Sequence, residues 1–212
     1  MVIFREQRCA LLSKYKYDES KGESGMGLLL YHGTNLKAAQ NIEKRGVLFE
    51  RCNEFTDFGK GFYTSKYIEF AQDTALNKYL KSRARGNIIQ PAIVFFELKE
   101  SIYENLNVYR FEYEDLEWLQ FIVNNRNGWT YVNDLHDDFH NLSSTYHLIE
   151  GRIADGNISE YAEVCRKQRS RVSAMSLQSI LYKGNPYAHQ TSFHTKESLG
   201  YLRYIGYKEV QI

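Results

Sequence analysis

Residues 92 to 98 read AIVFFEL and follow Pro91. An apolar run of this length, interrupted only by Glu97, reads as a buried strand, with proline at its start, where the missing N–H does least harm. Any fold for this chain must cover that strand. Other short runs are strand-like: LLLYHGT at 28–34, FYTS at 62–65, Leu106 to Phe111, YHLIEGRIA at 146–154, TSFHT at 191–195 and YKEVQI at the end. They mix with short helical segments without a regular βαβ alternation. That pattern favours α+β with mainly antiparallel pairing.

The helical segments have their own signals. Asn35 suits an N-cap, Leu36, Ala39 and Ile42 recur at helical spacing, Lys44 and Arg45 suit the C-terminal dipole, and Gly46 suits the position just past the end. A second helix is expected over 67–81, with Phe70, Ala71, Thr74 and Tyr79 near one face. Residues 114–124 predict a short amphipathic helix ending before NRNG, and 130–145 a polar loop. SEYAEVCRKQRS and VSAMSLQSIL predict two more helices. In KESLGYLRYIG, 196–206, Leu199, Leu202 and Ile205 stand at helical spacing and predict a last one. Residues 1–27 include the polar, glycine-bearing stretch KYKYDESKGESGMG and read as an N-terminal extension and flexible joint. The main domain is expected over 28–212.

Composition excludes several classes. Hydrophobic residues make up 43% of the 212, enough for a core, and 27 basic residues face 26 acidic ones. Near-neutral charge argues against a general nucleic-acid coat while leaving room for a local basic groove. Cys9, Cys52 and Cys165 are odd in number and form no CxxC pair, which argues against a disulfide framework or a zinc site and fits a reduced cytosol. No apolar run reaches the roughly 18 to 20 residues of a membrane span, and no secretory signal is evident.

The stretch with most chemical promise is DFGKGFYTS at 57–65, in which two glycines bracket a lysine ahead of a tyrosine. It is not a P-loop, because the GxxxxGK[ST] spacing is absent. No GxGxxG, HExxH or GxSxG occurs. His136 and His140 stand among Asp134, Asp137 and Asp138, a set able to hold a metal but more simply a solvated loop. The other polar-tipped strand ends Tyr31-His32-Gly33-Thr34. A lone histidine at a strand end is usually structural, and a lone tyrosine is usually core. Asp57 and Lys60 flank the glycine turn: Lys60 would reach a diphosphate or simply be solvated. Arg126 in NNR would do the same or form an internal salt bridge. Trp118 reads as core. Arg166, Lys167, Arg169 and Arg171 read as a solvated basic face, with guidance of an acidic or nucleic-acid acceptor as the alternative.

Taken in order, YHGT, a helix ending at glycine, then DFGKGFYTS and another helix resemble the NAD-using ADP-ribosyltransferase superfamily. The likeness is to its histidine–tyrosine–glutamate branch, which includes diphtheria toxin-like and poly(ADP-ribose) polymerase enzymes. Within it the chain resembles the small bacterial DUF3990 family, through LNVYRF with Trp118, NNR, YHLIEGRIAD and HQTSFHT as well, over roughly residues 28–210. The resemblance implies a split β-sandwich of two antiparallel sheets around a cleft, with surrounding short helices.

It also implies a site. Tyr63 would offer an aromatic surface to the planar, cationic nicotinamide of NAD. Gly59 and Gly61 would allow a sharp turn and close approach of ligand to backbone. Gly33 would hold the carboxamide through its own N–H and C=O, His32 would bond a ribose hydroxyl, and Thr34 would assist on the adenosine side. The nicotinamide–ribose bond would break through an oxocarbenium-like centre that a nucleophile attacks. The usual glutamate is missing: Gln190 in Ala188-His189-Gln190-Thr191 holds its position. Glutamine bonds a hydroxyl but is no base. Three readings follow: Gln190 suffices, a carboxylate elsewhere such as Asp155 in IADG is the base, or NAD is bound without transfer. The family implies a cytoplasmic toxin of a toxin–antitoxin or phage-defence locus, with a macromolecular acceptor and a small antitoxin protein as partners. NAD glycohydrolysis in the same pocket is the alternative, and no metal is implied.

Overall fold

The computed structural model describes residues 27–154, 157–180 and 187–212. Residues 1–26, including Cys9, and Asp155 lie outside the described residues. Two sheets carry the fold. The first has the order β1 (Leu28–Asn35), β3 (Pro91–Leu98), β7 (Leu202–Glu209), all antiparallel. The second has the order β2 (Phe62–Thr64), β6 (His189–Phe193), β5 (Leu148–Arg152), β4 (Val108–Arg110). Its β2–β6 and β6–β5 pairs are antiparallel, but β4 pairs with β5 in parallel. Pairing is thus mainly antiparallel, as the sequence pattern suggests, while the two antiparallel sheets that the resemblance implies are corrected at this one pair: a parallel pair needs a long crossover, and α4 (Leu116–Leu135) lies between these strands in the chain.

The apolar run at 92–98 is explained by its place. β3 is the central strand of the first sheet and is covered on both faces. Ala92, Val94, Phe96 and Leu98 enter a core shared with Leu30, Phe62, Leu148 and Phe193 from both sheets. Ile93 and Phe95 face the other way, toward Ala71 and Ala75 of α2 (Ile68–Ala84). Alternate side chains on a strand serve opposite faces, so a doubly covered strand has no polar face to show.

α1 (Leu36–Arg45) begins as expected. The Asn35 side chain accepts from the Ala38 N–H, and Gly46 ends the helix at φ 72°. α3 (Ile102–Asn105) is one turn. α4 runs past its expected end to Leu135, broken only at Gly128 (φ 75°), because Tyr131 and Val132 beyond the break are drawn into the core that also holds Trp118 and Phe121. α5 (Ile158–Gln168) and α6 (Ala174–Ile180) match the two predicted helices.

The last predicted helix is wrong beyond α7 (Lys196–Leu199): residues from Leu202 form β7. Its register against β3 skips Ile205 between Tyr204 and Gly206. That bulge reverses the facing of the side chains that follow. Leu202, Tyr204 and Tyr207 therefore serve the inter-sheet core while Ile205 packs toward α2. The resulting spacing imitates a helix in the sequence. Among the described residues no helix is long and apolar enough to cross a membrane.

Candidate functional site

Beside the shared core, a backbone bridge joins the two sheets. The Tyr31 N–H donates to the Ser65 carbonyl and the Ser65 N–H to that of Tyr31, both at 2.8 Å. Beyond the bridge the strands part, and a cavity of about 540 Å³ opens between β1, α1, α2 and β2. His32, Gly33, Thr34, Gly61, Tyr63, Asp57, Arg126 and Gln190 all line it. Residues far apart in the chain are thus brought together because β6 lies against β2, with Tyr63 opposite Ser192.

Since Tyr31 turns its N–H and C=O toward Ser65, Gly33, two residues on, directs its own pair toward the same edge. Nothing larger fits there: a Cβ on Gly33 would stand 2.0 Å from the Ala71 carbonyl oxygen. The Gly33 carbonyl accepts from Lys78 Nζ at 2.7 Å. Lys78 is exposed as a residue, but its ammonium folds back on this carbonyl, and desolvation there lowers its pKa to about 8. Sequence reasoning missed it, since one lysine on a helix carries no distinguishing pattern.

Burial, helped by the Lys78 charge and opposed by a backbone hydrogen bond, lowers His32 to about 3. His32 is therefore neutral at pH 7. Its Nδ1 lies 2.6 Å from the Tyr63 carbonyl oxygen, which can only accept. Nδ1 then carries the proton, and Nε2 is left as an acceptor.

Tyr63 is pinned by its hydroxyl, which donates to the Gly59 carbonyl (2.7 Å), accepts from the Phe58 N–H (3.0 Å) and lies 2.8 Å from the Thr56 hydroxyl. Burial drives its pKa well above the usual phenol range. The ring is held as a fixed wall of the cavity and is no acid–base group.

The glycine turn is built for packing as well as approach. Gly59 adopts φ 91°, which favours glycine, and a Cβ there would stand 3.0 Å from Asn125 Oδ1. A Cβ on Gly61 would stand 2.8 Å from both the Phe193 carbonyl oxygen and His194 Nδ1. Gly59 and Lys60 are not among the residues that line the cavity. Lys60 Nζ pairs with Glu54 at 3.2 Å instead.

Asp57, which flanks the glycine turn, is 6% exposed. Its Oδ1 accepts from Arg126 Nη2 (2.6 Å) and Nε (2.9 Å), and its Oδ2 from Gln190 Nε2 (3.2 Å). Of the two roles open to Arg126, the internal salt bridge is the one formed. It also donates to Ser159 (2.8 Å). Asp57 is the carboxylate of the described lining.

The other singled-out groups lie elsewhere. Trp118 is fully buried. Arg166 and Lys167 share Glu163, Arg169 pairs with Asp134 and Arg171 with Asp137, so much of the basic run is offset by neighbouring carboxylates. Asp137 and His140 are buried, not solvated, with His140 edge-on to Trp129. Among the described residues no group of three His, Cys, Asp or Glu side chains gathers as a metal site.

The family described as "Protein of unknown function (DUF3990)" matches residues 28–204. The chain belongs to that family. No curated protein matches it.

Proposed function

We propose that this DUF3990 protein is an NAD-dependent ADP-ribosyltransferase with the split β-sandwich of that superfamily, acting in the cytoplasm as the toxin of a toxin–antitoxin or phage-defence pair. One observation carries the reading: His32, Gly33, Thr34, Tyr63 and Gln190, from three strands of two sheets, line one cavity. Three of them have an immediate chemical use there. The Tyr63 ring is a fixed face for a planar cation. The Gly33 edge suits a carboxamide once Lys78 gives up the carbonyl. Neutral His32 presents Nε2 to a ribose hydroxyl.

The bond from the nicotinamide nitrogen to ribose C1′ breaks, and its electron pair leaves with nicotinamide, whose ring becomes neutral. Positive charge grows on the ribose. A nucleophile of the macromolecular acceptor bonds to C1′ and sheds its proton. Positioning supplies most of the acceleration. A second reading, NAD binding without transfer, is favoured by Asp57: the carboxylate of the lining has both oxygens occupied by Arg126 and Gln190 and is no free base.

The test is nicotinamide release from NAD by the purified protein, beside His32→Ala, Tyr63→Ala and Gln190→Ala, with biotin-labelled NAD and lysate in parallel. Release with label on a macromolecule is expected. Release without label makes it a glycohydrolase. Binding without release makes it a binding module, and absence of NAD binding overturns the reading.

A further inference from the structure

A glutamine at the position of a charged residue raises a question of orientation. Its amide has an acceptor end and a donor end, and only one of them can stand in for a carboxylate. The surroundings of Gln190 decide which end is presented. Gln190 lies on β6, is 7% exposed and lines the cavity. Its Nε2 donates to Asp57 Oδ2 at 3.2 Å. A carboxylate gripped by a guanidinium accepts hydrogen bonds and donates none, so the amide nitrogen must face Asp57. Arg126 holds Asp57 through two donors at 2.6 and 2.9 Å, and Ser159 steadies Arg126 in turn. Oε1 makes no hydrogen bond among the described residues, and it is not sealed from solvent.

We propose that Asp57 is a positioning residue that locks the Gln190 amide with its oxygen toward the cavity, making a neutral glutamine a fixed acceptor for a hydroxyl of the ligand. The role given to NAD rests on the function proposed above; the locked orientation does not. The chain Ser159–Arg126–Asp57–Gln190 draws on α5, α4, the glycine turn and β6. Such a relay costs stability unless every partner is present, and here every member is engaged. It also accounts for a buried aspartate that is too occupied to act as a base.

The lock makes an unusual prediction about substitutions. In Asp57→Asn, Arg126 keeps the amide oxygen, so the new NH2 faces Gln190 and turns its oxygen inward. The cavity then meets a donor where it needs an acceptor. Gln190→Glu alone sets two carboxylates about 3 Å apart, and one of them must hold a proton. In the double variant, Asp57→Asn with Gln190→Glu, the NH2 introduced at position 57 donates to one oxygen of the carboxylate introduced at position 190. The other oxygen faces the cavity and restores the acceptor.

The experiment compares wild type, both single variants and the double variant. Nicotinamide release from NAD is followed for kcat, KM and pH dependence, with a thermal melt of each protein. In parallel, 15N-detected spectra follow the Gln190 side-chain amide, assigned by its loss in Gln190→Glu. The expected result is a Gln190 amide with slowed exchange in wild type, shifted in Asp57→Asn. Turnover should fall about 10- to 100-fold in Asp57→Asn, mainly in kcat, and recover at least tenfold in the double variant. Gln190→Glu should gain a pH dependence absent from wild type. An amide that does not respond to Asp57→Asn overturns the lock, as does a double variant no better than the single at equal folding. Should Asp57→Asn fail to fold, a wild-type amide exchanging as fast as surface glutamines overturns it. A locked amide in a protein that releases no nicotinamide leaves the lock standing and removes the NAD reading.

Discussion

Acid should destabilise this protein well above the pH at which carboxylates titrate. Burial lowers His194 to about 4, His32 to about 3 and His189 to about 4, each from an ordinary 6.5. His194 is fully buried, and the Nδ1 of His189 is buried without a partner among the described residues. The unfolded chain takes up these protons near pH 6.5, whereas the folded chain refuses them until pH 3 to 4. The unfolded state therefore binds more protons across that window, so stability is whole above pH 6.5 and falls as pH falls. Going from pH 7 to 5, His194 contributes a loss of about 2 kcal/mol. His32 and His189 are partly exposed and solvent screens them, so about half as much each is reasonable. The combined loss of about 4 kcal/mol is a large share of the 5–15 kcal/mol that holds a domain together. His140, lowered by burial, adds in the same direction. Urea unfolding at pH 7, 6 and 5, followed by fluorescence of the buried Trp118, measures it. A free energy of unfolding that changes by less than about 0.5 kcal/mol between pH 7 and 5 would refute the argument. So would imidazole titrations of the folded protein centred near 6.5.

Two further outcomes are expected. Arg126→Ala strands Asp57 and should cost about 2–3 kcal/mol, the loss tempered because the arginine is itself partly exposed. Adding Asp57→Ala should recover about 1 kcal/mol or more, and a double-mutant cycle on urea midpoints that shows strict additivity would remove the pairing from the stability account. Lys78, with a pKa near 8, should be acylated ahead of the other lysines at pH 8, as read by peptide mass spectrometry, and NAD should change that rate if it displaces the ammonium from Gly33.

Much of this protein was decided locally and is legible in the sequence. The Asn35 cap, the Gly46 stop and the buried strand after Pro91 all rest on residues close together in the chain, whose backbone preferences act wherever the chain goes. The errors have a common origin in distant contacts. The β7 bulge at Ile205 gave a strand the spacing of a helix, because its facing is set by β3, more than a hundred residues away in sequence. Gly128 marked a stop that the core-seeking Tyr131 and Val132 overrode.

The site divides in the same way. That His32 and Tyr63 are candidates is written in short motifs, but that Asp57 is buried and is held by Arg126 and by the Gln190 amide nitrogen is not. Those facts depend on hydrogen-bond partners 69 and 133 positions apart. A side chain's type fixes what it is able to donate or accept. Only the tertiary structure fixes which partner it meets, how much water it loses, and so which of its two ends, or which protonation state, faces the cavity.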